Sequence, residues 1–530
     1  MADIKILVSD DVSESGLEPL RAAGFAVEKR TGLKPEELRE ILPEYDGLVV
    51  RSETKVSAPV LDAAVRLRAI GRAGVGVDNI DVAAATARGI IVMNAPDGNT
   101  MTTAEHTLAM LLALARRVPQ ANASLRGGKW ERKKFVGVEL RGKTLGIVGL
   151  GRIGRVVASR ARGFEMKVLA FDPFVAPEGA RDSEIELVTL AEVCERADFL
   201  TVHTPLTAET RGIIGAQELA RMKPEAQIIN CARGGLIDEC ALYSAIKEGR
   251  VAGAALDVFE QEPPPTDHPL LNLEEVITTP HLGASTKEAQ EGVAVTVAEQ
   301  MRDYFLTGAL RGAVNTPAVG AQELSILQPY LMLAEQLGRF QAQLLEEAVR
   351  EIRIVYAGEV AEMDAAPVTR AFLAGLLRDM SARVNVVNAF LIAEERGIKV
   401  TSSYERGASG ELKPSVSTRV ITAGGEGSVS GELFGAEGGG RIVEINGFRI
   451  EAVPAGHMIV TRNRDVPGVI GRIGTLFGQH HVNISRFHLG REAAGGEAMA
   501  VIETDAPVSD ETLAELRSSE QIISAKRIEL

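Results

Sequence analysis

The stretch Gly149-Leu150-Gly151-Arg152-Ile153-Gly154 constrains this chain more than any other. It follows the apolar run Leu145-Gly146-Ile147-Val148, which reads as a buried parallel strand, and leads into Val156, Val157 and Ala161 at helical spacing. Three glycines alone also occur in turns that hold nothing, but between a strand and a helix they have the context of a dinucleotide-binding loop. The first permits a tight turn, the second lets a pyrophosphate approach the backbone, and the third lets helix and strand close up. The helix then offers its unpaired N–H groups and the positive end of its dipole to phosphate. Asp172 ends the next apolar run, Lys167-Val168-Leu169-Ala170-Phe171, about 20 residues further on, where an acidic residue is needed for a ribose. Pro173-Phe174 follows with no adjacent arginine for a 2′-phosphate, which favours NAD over NADP.

At 530 residues the chain is too long for one core, and three or four domains are expected. Its 45% hydrophobic and 25% charged residues are those of a soluble globular protein. A net charge of -14 argues against a nucleic-acid surface, so any anionic ligand needs a local cluster of Arg and Lys. The three cysteines, Cys194, Cys231 and Cys240, have neither the number nor the spacing of a disulfide framework or zinc site. His268, His457, His480, His481 and His488 lack metal-ligand partners at useful spacing, and no metal is expected. Met1-Ala2-Asp3-Ile4-Lys5 lacks the pattern of a signal peptide. The apolar run 108–115 falls far short of the ~20 residues that span a bilayer, and a cytoplasmic location is expected.

Short apolar runs at 4–8, 47–50, 69–70 and 90–92 alternate with amphipathic segments, the signature of a doubly wound parallel sheet. Ser9-Asp10-Asp11-Val12 follows the first run in place of a glycine fingerprint, so this sheet is not expected to hold the dinucleotide. A helical pattern over 103–125 leads to a second block with strands expected at 145–148, 167–171, 199–203, 227–230, 254–257 and 276–279, a Rossmann domain. A helix over 285–306 is long enough to return to the first sheet, which predicts a discontinuous first domain and a cleft between the two.

The expected fold class is therefore α/β with two doubly wound domains, residues 1–98 plus 282–314 and residues 99–281. A third, α+β domain over 315–454 has helices at 323–349 and 369–396, a strand at 352–356 and a glycine-rich region at 416–453. The tract 424–440 reads as hairpin turns, because the flanking runs alternate. Residues 455–530 read βαββαβ, a ferredoxin-like order.

Three segments end Rossmann strands with polar residues: Asn230-Cys231-Ala232-Arg233-Gly234-Gly235, Asp257-Val258-Phe259-Glu260-Gln261-Glu262-Pro263 and Thr279-Pro280-His281-Leu282-Gly283-Ala284. Ligands of open α/β sheets bind beyond such strand ends, so these residues are expected to converge. Arg233 can grip a carboxylate or carbonyl, His281 can exchange a proton near neutral pH, and Glu262 can orient the imidazole. His106 reads as a helix or cleft-lining residue, His203 as a hydrogen-bonding residue near the cofactor, and Cys231 as a small buried one.

These segments, with Arg51-Ser52, Arg72-Ala73-Gly74-Val75-Gly76-Val77-Asp78 and Trp130-Glu131-Arg132-Lys133-Lys134, resemble the D-isomer-specific 2-hydroxyacid dehydrogenases. The whole arrangement resembles that family's long branch, which adds an intervening domain and a C-terminal ACT domain and acts on 3-phospho-D-glycerate. The resemblance implies a catalytic set of Arg233, Glu262 and His281. It implies NAD contacts from Gly149, Gly151, Arg152, Ile153, Gly154, Asp172, Thr204, Pro205, Ala232, Asp257 and Gly283, with Asp257 at the nicotinamide carboxamide. Arg51, Ser52, Arg72, Gly74, Val75 and Arg132 would hold the substrate, Arg132 reaching it from the partner subunit of a homo-oligomer (a dimer or tetramer). Asn463, Asp465 and Asn483 would bind L-serine as a feedback effector. The implied reaction is oxidation of 3-phosphoglycerate to 3-phosphohydroxypyruvate, the entry to serine synthesis. A glyoxylate or hydroxypyruvate reductase, and a dinucleotide-sensing protein resembling transcriptional corepressors, are the alternatives.

Overall fold

The computed structural model describes residues 4–176, 185–378, 384–406, 413–434 and 439–530. The reading of residues 1–3, and parts of those of 369–396 and 424–440, lie outside the described residues. No helix among the described residues is long and apolar enough to cross a membrane.

Five parallel strands, β1 (Lys5–Val8), β2 (Ala26–Lys29), β3 (Gly47–Val50), β4 (Ala69–Arg72) and β5 (Ile91–Asn94), form the first sheet in the order β2-β1-β3-β4-β5. Strand β2 had no expectation attached to it. It lies at the sheet edge with no buried residue, so its sequence shows no apolar run. The helix Lys287–Thr307 returns to this sheet as expected, packing Val293, Ala294, Val297, Ala298 and Met301 against Ile6, Val49, Ala69 and Ile91. Gly71 makes room for it: a Cβ there would stand 2.7 Å from Met301 Sδ. Residues some 200 positions apart thus share one core.

The second sheet holds β6 (Thr144–Val148), β7 (Lys167–Phe171), β8 (Glu186–Leu187), β9 (Phe199–Val202), β10 (Gln227–Asn230), β11 (Gly253–Leu256) and β12 (Val276–Thr278). All are parallel, in the order β12-β11-β10-β9-β6-β7-β8, so the chain reverses direction across the sheet next to β6. The two-residue β8 escaped the sequence reading because it is too short to carry a pattern. The single helix expected over 103–125 is two helices, Thr100–Arg116 and Val118–Arg126. Arg117 is left-handed (φ 52°) at the junction, and Pro119, which can donate no backbone hydrogen bond, sits in the first turn of the second helix.

The third sheet contains β13 (Val349–Ala357), β14 (Lys399–Glu405), β15 (Ser415–Thr422), β16 (Glu426–Phe434), β17 (Gly439–Ile445) and β18 (Phe448–Ala452), in the order β14-β13-β15-β16-β17-β18. Only β13 and β14 pair in parallel. The glycines of the hairpins have a packing reason. A Cβ at Gly431 or Gly440 would lie 2.9 or 3.0 Å from Leu333 of the helix Ala321–Leu344, which rests on these strands.

The last sheet has β19 (His457–Arg464), β20 (Ile484–Arg491), β21 (Glu497–Thr504) and β22 (Ile522–Glu529), ordered β20-β21-β19-β22 and antiparallel throughout. One face packs Ile459, Ala500 and Ile502 against the helices Val469–Gln479 and Asp510–Arg517. The alternate residues Met458, Val460, Met499, Val501 and Ile528 join the core of the third domain. The near-continuous apolar runs of β19 and β21 follow from burial on both faces.

The helices Ala321–Leu344 and Ala366–Leu377 meet through glycine. A Cβ at Gly338 would collide with Phe372 O and stand 2.8 Å from Leu376 N, and one at Gly375 would collide with Glu335 O and stand 3.0 Å from Arg339 N. Backbone cannot yield as a side-chain tip can. Gly375→Leu is therefore expected to destabilise the protein by about 1–3 kcal/mol through overpacking. Gly292→Ala, in the open on the helix Lys287–Thr307, is expected to stabilise it by roughly 0.5–1 kcal/mol. Thermal melts of the two variants test the pair by their opposite signs.

Candidate active site

β6 ends at the glycine loop, and the structure gives each glycine a distinct task. Gly149 turns the chain at φ 98° and donates its N–H to Phe171 O at 2.8 Å. A Cβ on it would lie 2.8 Å from both the His203 carbonyl carbon and Thr204 Cγ2. One at Gly154 would collide with Gly149 O. Gly151 has nothing within 4 Å of its Cβ position and precedes the helix Arg152–Gly163. Asp172, just past β7, takes the Leu150 N–H on Oδ2 at 2.8 Å and the Phe174 N–H on Oδ1 at 2.9 Å, which fixes its carboxylate beside the loop. Arg152 pairs through Nε with Asp97 Oδ1 at 2.6 Å, across to the first domain.

A cleft of about 510 Å³ runs between the domains. Val75, Gly76, Val77 and Asp78 line one side; Arg152, Ile153, Thr204, Pro205, Ala232, Arg233, His281 and Gly283 line the other. The hydroxyl of Thr204 and Nδ1 of His203 are buried there without a hydrogen-bond partner among the described residues. Burial pushes the His203 imidazole down to about 4, so it is neutral at physiological pH. An open Gly151 at a helix N-terminus, a fixed carboxylate at the next strand end and an unsatisfied hydroxyl between them suit a dinucleotide.

Arg233 follows β10 in a turn clasped by Asn230, whose Nδ2 donates to Arg233 O at 2.9 Å while its Oδ1 accepts the Ala232 N–H at 3.0 Å. The guanidinium crosses to the first domain, donating from Nε to Asp78 Oδ2 at 3.1 Å. It lies so close that a Cβ at Gly76 would collide with Nη2. Glu262 Oε2 meets His281 Nδ1 at 2.7 Å, and Oε1 accepts the Phe259 N–H at 3.1 Å. Burial raises the Glu262 carboxyl; the hydrogen bond and charge of His281, with the Phe259 N–H and Arg233, outweigh it and hold the group below the usual carboxylate range. Glu262 is thus an anion that accepts the Nδ1 proton, which leaves Nε2 of a neutral His281 as the basic atom.

His281 stands in a left-handed backbone conformation, φ 53°, with its N–H on Asp257 O at 2.9 Å. Asp257 has no exposed surface. Its Oδ1 accepts from Thr279 Oγ1 at 2.6 Å and the Leu282 N–H at 2.7 Å, and its Oδ2 accepts the Gly283 N–H at 2.8 Å. His106 Nε2 stands 3.2 Å from Oδ1. Ligand atoms of His106, Cys231 and Asp257 lie within 4.8 Å of one another. Asp257 takes its hydrogen bonds from those donors, while burial above all keeps the neighbouring Cys231 thiol protonated.

The cations of the first domain converge from the ends of β3 and β4. Arg51 hangs from Asp10, which accepts its N–H at 2.5 Å, and Ser52 follows it, exposed. Arg72 is mostly buried with no partner on Nε, and a Cβ at Gly74 would collide with its Nη1. Burial above all, then repulsion from Arg233 and Arg51 against attraction from Asp78 and Asp10, lowers Arg72 to about 10. Arg132 sits in an exposed turn, Arg132–Phe135, and does not line this cleft. Asp78 and Asn230 were not assigned roles from sequence, although both stand inside quoted motifs. Their signal was position beside a functional arginine.

In the last domain, Asn463 is buried with Nδ2 on Arg464 O at 3.0 Å. Asp465 accepts from Arg491 Nη1 at 3.3 Å and from the Gly495 N–H at 3.2 Å, while Asn483 donates to Asp505 at 2.6 Å. Within one chain each of the three has a different neighbour.

Residues 108–283 match the family described as D-isomer specific 2-hydroxyacid dehydrogenase, NAD binding domain. Residues 326–446 match the D-3-phosphoglycerate dehydrogenase intervening domain, and residues 457–521 the ACT domain. The D-3-phosphoglycerate dehydrogenase of Archaeoglobus fulgidus is 44% identical over 530 residues, covering 99% of this chain and all of the relative. That of Bacillus subtilis is 44% identical over 540 residues, covering 99% of each. Among solved structures, a glyoxylate reductase from Paecilomyes thermophila is 31% identical with a TM-score of 0.55, covering 59% of this chain and 99% of its own. The chain is an NAD-linked enzyme that belongs to the D-3-phosphoglycerate dehydrogenase family of D-isomer-specific 2-hydroxyacid dehydrogenases.

Proposed function

We propose that the protein oxidises 3-phospho-D-glycerate to 3-phosphohydroxypyruvate with NAD, the first step of L-serine synthesis, and that L-serine inhibits it. The observation that carries this reading is the approach of Arg51 and Arg72 to Arg233, which lines the cleft together with His281. In a chain of net charge -14, a buried Arg72 that Arg233 and Arg51 both repel calls for an anion with more than one charge. A substrate bearing a carboxylate and a phosphate supplies it; glyoxylate does not. The match to the glyoxylate reductase also stops at 59% of the chain, whereas the phosphoglycerate dehydrogenases of Archaeoglobus fulgidus and Bacillus subtilis each match over 99% of it.

The glycine loop 149–154 and Asp172 would hold NAD, which would supply the acceptor for the hydride of the substrate's C2. Arg233 holds the carboxylate and stabilises the negative charge growing on the C2 oxygen. His281 Nε2 takes the C2 hydroxyl proton, and the imidazolium so formed is stabilised by Glu262 through Nδ1. The main-chain groups of Gly74 and Val75, with Ser52, face the carboxylate end, and Arg51 and Arg72 balance the phosphate. Arg132 of a second subunit would complete that pocket, which makes a homo-oligomer part of the proposal. Asp172, an anion beside the ribose, favours NAD over the 2′-phosphate of NADP. Three free cysteines, two of them buried, suit a cytoplasmic location.

Glu262→Gln keeps a hydrogen-bonding side chain but removes the charge and offers the wrong partner to Nδ1. It is expected to lower kcat by about 10²–10⁴-fold, with KM for NAD nearly unchanged, in NADH-absorbance assays. Arg51→Ala is expected to raise KM for 3-phosphoglycerate by about 10–100-fold, the worth of a lost charged hydrogen bond, while KM for D-glycerate moves less than about threefold. Equal effects on the two substrates would point to the unphosphorylated reductase reading. L-Serine titrated to millimolar concentration should reduce the rate and raise Tm; a flat response in both would remove the effector from the proposal.

A further inference from the structure

Asp257 carries its charge with no exposed surface, which is costly unless its surroundings supply donors. Three of those donors belong to the segment that presents the base: Thr279 Oγ1 and the N–H groups of Leu282 and Gly283. The fourth, His106, comes from elsewhere. It projects from the helix Thr100–Arg116, the first element after the chain leaves the first sheet. Its Nε2 lies 3.2 Å from Asp257 Oδ1 and 3.3 Å from Thr279 Oγ1, so one N–H reaches both. One turn earlier on the same helix face, Thr103 Oγ1 donates to Gly283 O at 3.1 Å. The helix therefore grips the segment 279–283 at two points on either side of His281.

That grip bears on the reaction because the conformation at His281 is strained. A left-handed residue other than glycine is costly, and its surroundings hold it. Here Asp257 does so twice, by its carbonyl on the His281 N–H and by its carboxylate on the two residues that follow. A shift of about 1 Å in the base costs about 10²-fold in rate.

We propose that His106 is a positioning residue for the oxidation: it holds the Asp257 carboxylate, and through it the segment 279–283, so that His281 meets the substrate hydroxyl in register. The group does not touch the substrate. This rests on the reading of His281 as the base, and it adds that the helix joining the two domains sets where that base stands.

The test compares His106→Leu, which removes the donor, with His106→Gln, whose amide can place an N–H near the position of Nε2. Both are assayed with whichever 2-hydroxy acid or 2-keto acid the unaltered protein turns over, so a wrong substrate assignment does not affect the comparison. His281→Ala is run beside them; if it kept full activity, the base reading would fail independently of His106. His106→Leu is expected to lower kcat by about 10–100-fold, with KM for both substrates within about threefold and NADH binding by fluorescence unchanged. His106→Gln is expected to recover at least about a third of kcat. Full kcat in His106→Leu, a parallel rise in KM, a loss that tracks a fallen Tm, or no recovery in His106→Gln while it binds NADH normally would each overturn the proposal.

Discussion

The chain crosses from its first sheet to its second through the helix Thr100–Arg116 and returns through 279–286, and both crossings are fastened to one buried carboxylate. Asp257 is raised by burial yet held below the usual range by His106 first, then by Thr279 and the Leu282 N–H. A buried charge of this kind contributes little net stability, but it is highly specific, because any rearrangement that strips a donor exposes its desolvation cost. The cleft inherits its geometry from that fastening. The glycine loop lies at the end of β6, the base lies just past β12, and Asp257, just past β11, belongs to the same C-terminal edge of the sheet.

A second constraint is electrostatic. Arg233 leaves the Rossmann domain and pairs with Asp78 of the first domain, so one ion pair spans the cleft. Arg72 stays buried beside two other guanidinium groups, at the expense of its affinity for its own proton. An exposed surface would disperse such charges. Gathering them beside a cleft focuses their field on whatever anion enters. The chain's net charge of -14 adds contrast to this local cluster.

Much of this was legible in the sequence because the features were local. The turn at Gly149, the close approach at Gly154 and the strand ends at Arg233, Glu262 and His281 are each encoded by a few adjacent residues with a strong conformational or chemical preference. The family resemblance then assigned roles that spacing alone could not. What stayed hidden was non-local or too short. Strand β2 is an edge with no apolar run, β8 is two residues long, and the break at Arg117 depends on one left-handed residue before a proline. The union of His106 with Asp257 joins positions 151 residues apart, and helical periodicity gives only the face of His106, not what that face meets. Nor does sequence give the neighbours of Asn463, Asp465 and Asn483, which bond to Arg464, Gly495 and Asp505.

The same logic limits how the last domain can influence the cleft. Its strands β19 and β21 are buried on both faces, and the face away from its own helices shares a core with the third domain. Gln343 accepts the Glu529 N–H and donates to its carbonyl, while Lys526 bonds to Leu344 O, so the helix Ala321–Leu344 is stitched to β22. The third domain in turn touches the first through Val387, which is buried in the core beneath β1, and through Asn385 and Asn388, which donate to Gly89 O at 2.9 Å and Ala87 O at 3.3 Å. A Cβ at Gly89 would collide with Asn385, which keeps that approach close. The loop 87–89 leads into β5, which runs to Asn94 and the residues that precede the helix of His106. A two-state coupling through such a path needs rigid elements at both ends and a bistable joint between them. The packed helix pair at Gly338 and Gly375 has the close backbone contact of a rigid element.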